Sequence, residues 1–149
     1  MMTIEDALRI ALDAHEGQKD LDGQPEILHP LAVALAGTTR EQRIAGLLHD
    51  VVEDSDITFD DLLQRGVDEE IVDALRLLTH DKTSMTYNEY VDRIVKSGND
   101  IAIHVKYNDL RHNLSRGLAG GHTRLVEKHA MALAMIAPMV KKQSTLNII

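Results

Sequence analysis

Cysteine is absent from the 149 residues of this chain, which removes disulfides, thiolate zinc sites and cysteine nucleophiles together and fits a reducing compartment. Any metal it holds must be bound by histidines and carboxylates. Aromatic residues make up only 3%, and the 44% that are hydrophobic are mostly Leu, Ile, Val, Ala and Met, so helix is favoured over strand. Positive charge is also scarce. The net charge of −8 argues against broad, non-specific contact with nucleic acid, where Lys and Arg must neutralise phosphates. A small phosphorylated ligand remains compatible if a cation sits in the site. No apolar run nears the roughly 20 residues needed to span a bilayer, and the N-terminus lacks a basic, then apolar, then small-residue signal pattern. No membrane contact and a cytoplasmic location are expected. Repeats, low-complexity segments and linkers are missing too, and residues 1–149 have the length of one ordinary domain.

What is present is a series of helix-start signals. Thr3, with Asp6 three residues on, opens a helix over 4 to about 18 through Ile4, Ala7, Leu8, Ala11 and His15. Lys19 to Leu28 carries Asp20, Asp22, Gly23 and Pro25 and reads as a loop. It ends at His29-Pro30, with proline suited to the first turn of a second helix. Thr38 and Thr39, each followed by an acid or amide three residues later, offer two candidate caps for a third helix through Ile44, Leu47, Leu48 and Val51. Thr58 opens a short helix closed near Gly66, Asp68 opens the next through Leu78, and Thr86 with Glu89 caps another through Ile94. Asp100 is the candidate cap for a helix carrying Asp109 and Asn113, and a last helix from about Thr123 runs into Pro138, where it should end or kink. The fold class is all-α.

The chemistry concentrates in LLHDVVED, Leu47 to Asp54. On a continuous helix His49 lies one turn from Glu53, and Asp50 one turn from Glu53 and Asp54, so the polar groups project toward a common region. A nitrogen and an oxygen donor at the core edge suit a divalent metal of intermediate hardness. On this segment alone, a packed histidine beside a solvated helix end is an equally simple account. GQPEILHP, Gly23 to Pro30, brings His29 to a helix start, and VKYNDLRHNLSR, Val105 to Arg116, places Asp109 and Asn113 one turn apart.

These segments, with AHEGQKD at Ala14 to Asp20, resemble in order and spacing the HD-domain phosphohydrolases, specifically the hydrolase domain of the RelA/SpoT family of alarmone enzymes and its small single-domain relatives. The resemblance implies an HD-type helical bundle in which His29, His49, Asp50 and Asp109 hold one divalent metal, Mn²⁺ being the expected ion. It implies that Glu53 and Asp54, next to the metal-bound water, act as general base and acid, and that Asn113 and Lys106 lie beside the nucleotide; Arg111, His112 and Arg116 are nearby candidates for phosphate contact. Lys106, three residues before Asp109, could instead support it by an ion pair. His15 reads as a packed core histidine, while His80, His104, His122 and His129 match no ligand position and read as structural or exposed. The implied activity is removal of the 3′-pyrophosphate of (p)ppGpp or a related alarmone. The alternatives are another HD nucleotidase or cyclic phosphodiesterase, or a binding module without turnover. Where the alarmone hydrolases usually carry an Arg-Lys pair this chain has Asp20 and Leu21, and Glu26 replaces a common tyrosine, so weaker guanine recognition is expected. Alarmone synthesis is not expected of a chain filled by this one domain.

Overall fold

The structure, a computed structural model, describes residues 1–148, with side chains through Val140. Among the described residues there are nine helices: α1 (Ile4–Ala14), α2 (Leu28–Ala36), α3 (Arg40–Leu48), α4 (Val51–Asp54), α5 (Phe59–Gln64), α6 (Glu69–Leu78), α7 (Tyr87–Ser97), α8 (Asp100–Gly120) and α9 (Thr123–Ile148). The only extended pairing among them is an isolated antiparallel bridge between Lys19 and Pro25.

The start signals act as the sequence suggests, with local differences. The Thr3 hydroxyl accepts the Asp6 N–H, and full capping boxes form at Thr58 with Asp61 and at Thr86 with Glu89. At α3 the two candidate caps merge. Thr39 accepts the Gln42 N–H, and the Gln42 side chain reaches back to the Thr38 N–H. Asn99, rather than Asp100, caps α8 by accepting the Ala102 N–H. Asp68 precedes α6 without a capping bond because its carboxylate is taken by Arg40 at 3.0 Å. The first helix stops at Ala14, short of residue 18, and Gly17 at φ 76° turns the chain into the loop. Pro138 does not end α9.

The most consequential difference is at the His-Asp pair. A continuous third helix through Val51 is expected, yet α3 stops at Leu48 and α4 begins at Val51, with Asp50 between them at φ −104°, ψ 0°. The His49 ring explains the break. Its Nδ1 lies 2.6 Å from the Gly46 carbonyl oxygen, the acceptor that a continuing helix would offer to the Asp50 N–H.

α8 runs through the middle of the bundle, packed by α2, α3, α6, α7 and α9. Ile103 and Leu110 on α8, Ile44, Leu47 and Leu48 on α3, Ile71 and Leu75 on α6, and Ile136 on α9 are fully buried. Each such side chain contributes about 1.5–3 kcal/mol by leaving water. This core holds three chain segments at fixed distances: the start of α2 with His29, the end of α3 with His49, and the middle of α8 with Asp109.

Gly46 sets the closest of these approaches. A Cβ there would stand 3.1 Å from the Ala34 backbone N and Cα on α2. Helix propensity alone favours alanine at this position by about 0.5–1 kcal/mol, whereas overpacking against backbone costs about 1–3 kcal/mol. Gly46→Ala is therefore expected to lower the urea unfolding stability by about 1–2 kcal/mol. A midpoint equal to or above wild type would show that α2 and α3 can part without loss.

Candidate metal centre and adjoining cavity

His29 Nε2, His49 Nε2, Asp50 Oδ2 and Asp109 Oδ1 face one another. His29 Nε2 is 2.8 Å from Asp109 Oδ1 and 3.9 Å from Asp50 Oδ2, while His49 Nε2 is 3.1 Å from Asp50 Oδ2 and 3.3 Å from Asp109 Oδ1. The two imidazole Nε2 atoms are 3.3 Å apart. The donors of His29, His49 and Asp50 all fall within 4.8 Å of one another, and the short contacts of Asp109 to both imidazoles add it to the group.

The electrostatics favour positive charge at this point. Burial opposes the charged form of His49, but Asp50 and Asp109 more than offset it and raise its pKa well above the usual histidine value. Burial likewise opposes ionisation of Asp109, and Lys106 with the two imidazoles holds its carboxyl well below the ordinary carboxylate range. Two imidazole nitrogens and two carboxylate oxygens turned inward are a donor set that fits a borderline or hard divalent cation.

Lys106 is buried on α8, its ammonium 2.9 Å from Asp109 Oδ2 and 4.9 Å from the centre of the Tyr90 ring. Burial opposes its charge, and Asp109 more than offsets this and raises its pKa well above the lysine range. Asp109 thus uses one oxygen toward the histidines and the other toward Lys106. Asn113 Nδ2 donates to Asp109 Oδ1 at 3.1 Å, and Arg116 Nε donates to Asn113 Oδ1 at 3.0 Å.

The cluster forms one wall of a cavity of about 190 Å³ that also takes in Glu53, His80, Lys82, Lys128 and His129. Asn113, Arg116 and His129 are shared with a larger cavity of about 630 Å³, lined further by Asp20, Leu21, Glu26 and Asp54. The acidic pair is therefore divided. Glu53 Oε1 accepts the His80 N–H at 2.6 Å in the smaller space, while Asp54 faces the larger one. Desolvation, with Asp50 and Glu53 nearby, raises the Asp54 carboxyl above its ordinary value. The Asp54 carbonyl is tied to Gln18 Nε2 at 2.8 Å, and Gln18 in turn meets the buried His15 at 2.8 Å.

Of the residues predicted from sequence, His29, His49, Asp50, Asp109, Glu53, Lys106 and Asn113 come together here. Arg111 does not: it is exposed on α8, its guanidinium 5.4 Å from the Tyr107 ring centre. Arg116 stands in the site instead, 3.9 Å from Asp20 and 3.7 Å from Glu26. His80 and His129, read from sequence as structural or exposed, line the cluster cavity. His122 pairs with Asp22 at 2.9 Å. Arg116, a further candidate in the sequence, shares a helix face with Asn113, to which it donates.

Because Lys106 and Asp109 form a buried ion pair, losing one partner strands the other. Lys106→Met is expected to lower the unfolding stability of chelator-treated protein by about 3 kcal/mol, the low end of such losses because two imidazoles still face the carboxylate. Urea titration measures it, and a loss under about 1 kcal/mol would make the pair incidental.

No family model matches the chain. It is 36% identical over 123 residues to the bifunctional (p)ppGpp synthase/hydrolase SpoT of Escherichia coli K12, a match covering 74% of this chain and 17% of that protein. It is 49% identical over 59 residues to the guanosine-3′,5′-bis(diphosphate) 3′-pyrophosphohydrolase of Vibrio cholerae, covering 36% of this chain and 8% of that protein. The chain thus spans less than a fifth of the length of either relative. A solved structure of a metazoan ortholog of SpoT that hydrolyses ppGpp superposes with a TM-score of 0.65 at 22% identity, covering 94% of both chains. In sequence the chain is similar to a segment of SpoT-type proteins, and its all-helical fold is that of this solved structure, which bears out the resemblance carried by its motifs.

Proposed function

We propose that this chain is a cytoplasmic, metal-dependent phosphohydrolase that removes a pyrophosphate group from a (p)ppGpp-type or related nucleotide. The observation that carries the reading is the convergence of four metal-type donor atoms on the wall of a cavity that also contains a carboxylate and cationic side chains. The names of the sequence relatives supply the substrate class.

In this reading His29, His49, Asp50 and Asp109 hold one divalent ion, Mn²⁺ by the resemblance. When bound, the ion supplies positive charge against the phosphoryl oxygens and acidifies water. The protein's own groups do the rest. Glu53, fixed through one oxygen by the His80 N–H, keeps its other oxygen for the proton of the attacking water. Asn113 and Arg116, lining both cavities, stand where the phosphate end and the nucleoside end of a substrate would join. Lys106 holds the Asp109 ligand in place, and Lys82 and Lys128 offer charge to the phosphate end. Asp54, in the larger space, is placed to act on the sugar side as acid.

The carboxylates of the larger cavity favour a second reading, a nucleotidase acting on a less charged nucleotide. Asp20 and Glu26 line that space and already occupy Arg116, so a far-end diphosphate meets negative charge rather than an Arg-Lys pair.

Purified protein with Mn²⁺ against a panel of nucleotides, following phosphate and pyrophosphate, tests these readings. Pyrophosphate release is expected, orthophosphate alone supports the nucleotidase, and tight binding without turnover leaves a binding module. Glu53→Gln is expected to retain the metal and lose about 10²- to 10⁴-fold in rate; a rate within about threefold of wild type would move the base to another group. The Asp20→Arg, Leu21→Lys double variant should raise kcat/KM for ppGpp by about tenfold or more, the worth of roughly one good charged contact. No gain would mean that the loop does not weaken recognition of the far-end diphosphate.

A further inference from the structure

Each metal-facing histidine needs a lone pair on Nε2, and a neutral imidazole keeps one there only if its proton sits on Nδ1. For His49 the main chain fixes this, since Nδ1 lies 2.6 Å from the Gly46 carbonyl oxygen, which can only accept. For His29 the partner is a side chain. Its Nδ1 lies 2.7 Å from His112 Nδ1, and the two rings meet edge to edge, with centres 5.0 Å apart and planes 23° from parallel.

We infer that His112 is the positioning residue for His29, a hydrogen-bond acceptor that fixes the ring tautomer and orientation with which His29 presents Nε2 to a divalent cation. The inference rests on the metal-centre part of the proposed function. The proton on His29 Nδ1 is donated to His112 Nδ1, so His112 carries its own proton on Nε2. His112 lines neither cavity of the site, which separates it from groups placed to touch a substrate.

The spacing fits the role. His29 sits in the first turn of α2 and is held by two α8 residues, Asp109 at Nε2 and His112 at Nδ1. These are three apart and so share a helix face. One stretch of α8 thus supplies both a donor to the cluster and the support for another. Outer-shell partners of metal-bound histidines commonly contribute 10- to 100-fold to metal affinity.

The test is isothermal titration of Mn²⁺ into chelator-treated protein, with no nucleotide present. His112→Leu, which removes the acceptor, is expected to weaken Mn²⁺ binding by about 10- to 100-fold. His112→Asn, whose side-chain oxygen stands near the Nδ1 position, is expected to recover most of that loss. Thermal melts confirm that both variants are folded. Leucine and wild-type proteins with equal affinity would overturn the inference, as would an asparagine variant no better than leucine. A wild type that binds Mn²⁺ but hydrolyses no nucleotide would overturn the hydrolase reading alone and leave the role of His112 standing.

Discussion

The carboxylate of Asp109 is the constraint on which the rest of the site depends. One oxygen faces both imidazoles, 2.8 and 3.3 Å away, and the other is held by Lys106 at 2.9 Å. A buried carboxylate is tolerable only when its charge is matched and its lone pairs are used. Lys106, His29, His49 and Asn113 together meet that condition, and in doing so fix the relative positions of α2, α3 and α8. Stability and chemistry meet in the same atoms, so the hydrophobic core around α8 also serves as the frame of the cluster.

The helix break between His49 and Asp50 has a similar double consequence. By bonding the Gly46 carbonyl, the His49 ring ends α3, fixes its own tautomer and turns the following residues into a separate short helix. Asp50 keeps its one-turn relation to Asp54 through the Asp54 N–H to Asp50 carbonyl bond of 3.0 Å. Adjacent residues in the new helix then face different spaces, Glu53 the cluster cavity and Asp54 the larger one. A division of roles between neighbouring carboxylates follows from backbone geometry rather than from their chemistry, which is nearly identical.

The loop from Lys19 to Ile27 decides the character of the larger cavity. Asp20 Oδ1 accepts the N–H groups of Asp22 and Gln24, both at 2.9 Å, and Gly23 at φ 78° closes the turn. Asp20 thus shapes its own loop while its carboxylate reaches toward Arg116. A polar chain runs from this loop through Arg116 and Asn113 to Asp109.

The sequence by itself determined the all-helical class, the positions of most helix starts and the residues of the cluster. Caps at Thr3, Thr58 and Thr86 are local contacts between residues three apart, so they are written in the order of the chain. His29, His49, Asp50 and Asp109 were legible because motif order and spacing survive in one dimension. Tertiary structure decided what depends on distances across the chain: the close approach at Gly46, the turn of Arg116 rather than Arg111 into the site, and the contact of His112 with a ring 83 residues away. The end of α3 also escaped sequence reading. It depends on which acceptor the His49 ring takes, a choice between a backbone bond and a side-chain bond of similar strength that is settled only when packing fixes the ring.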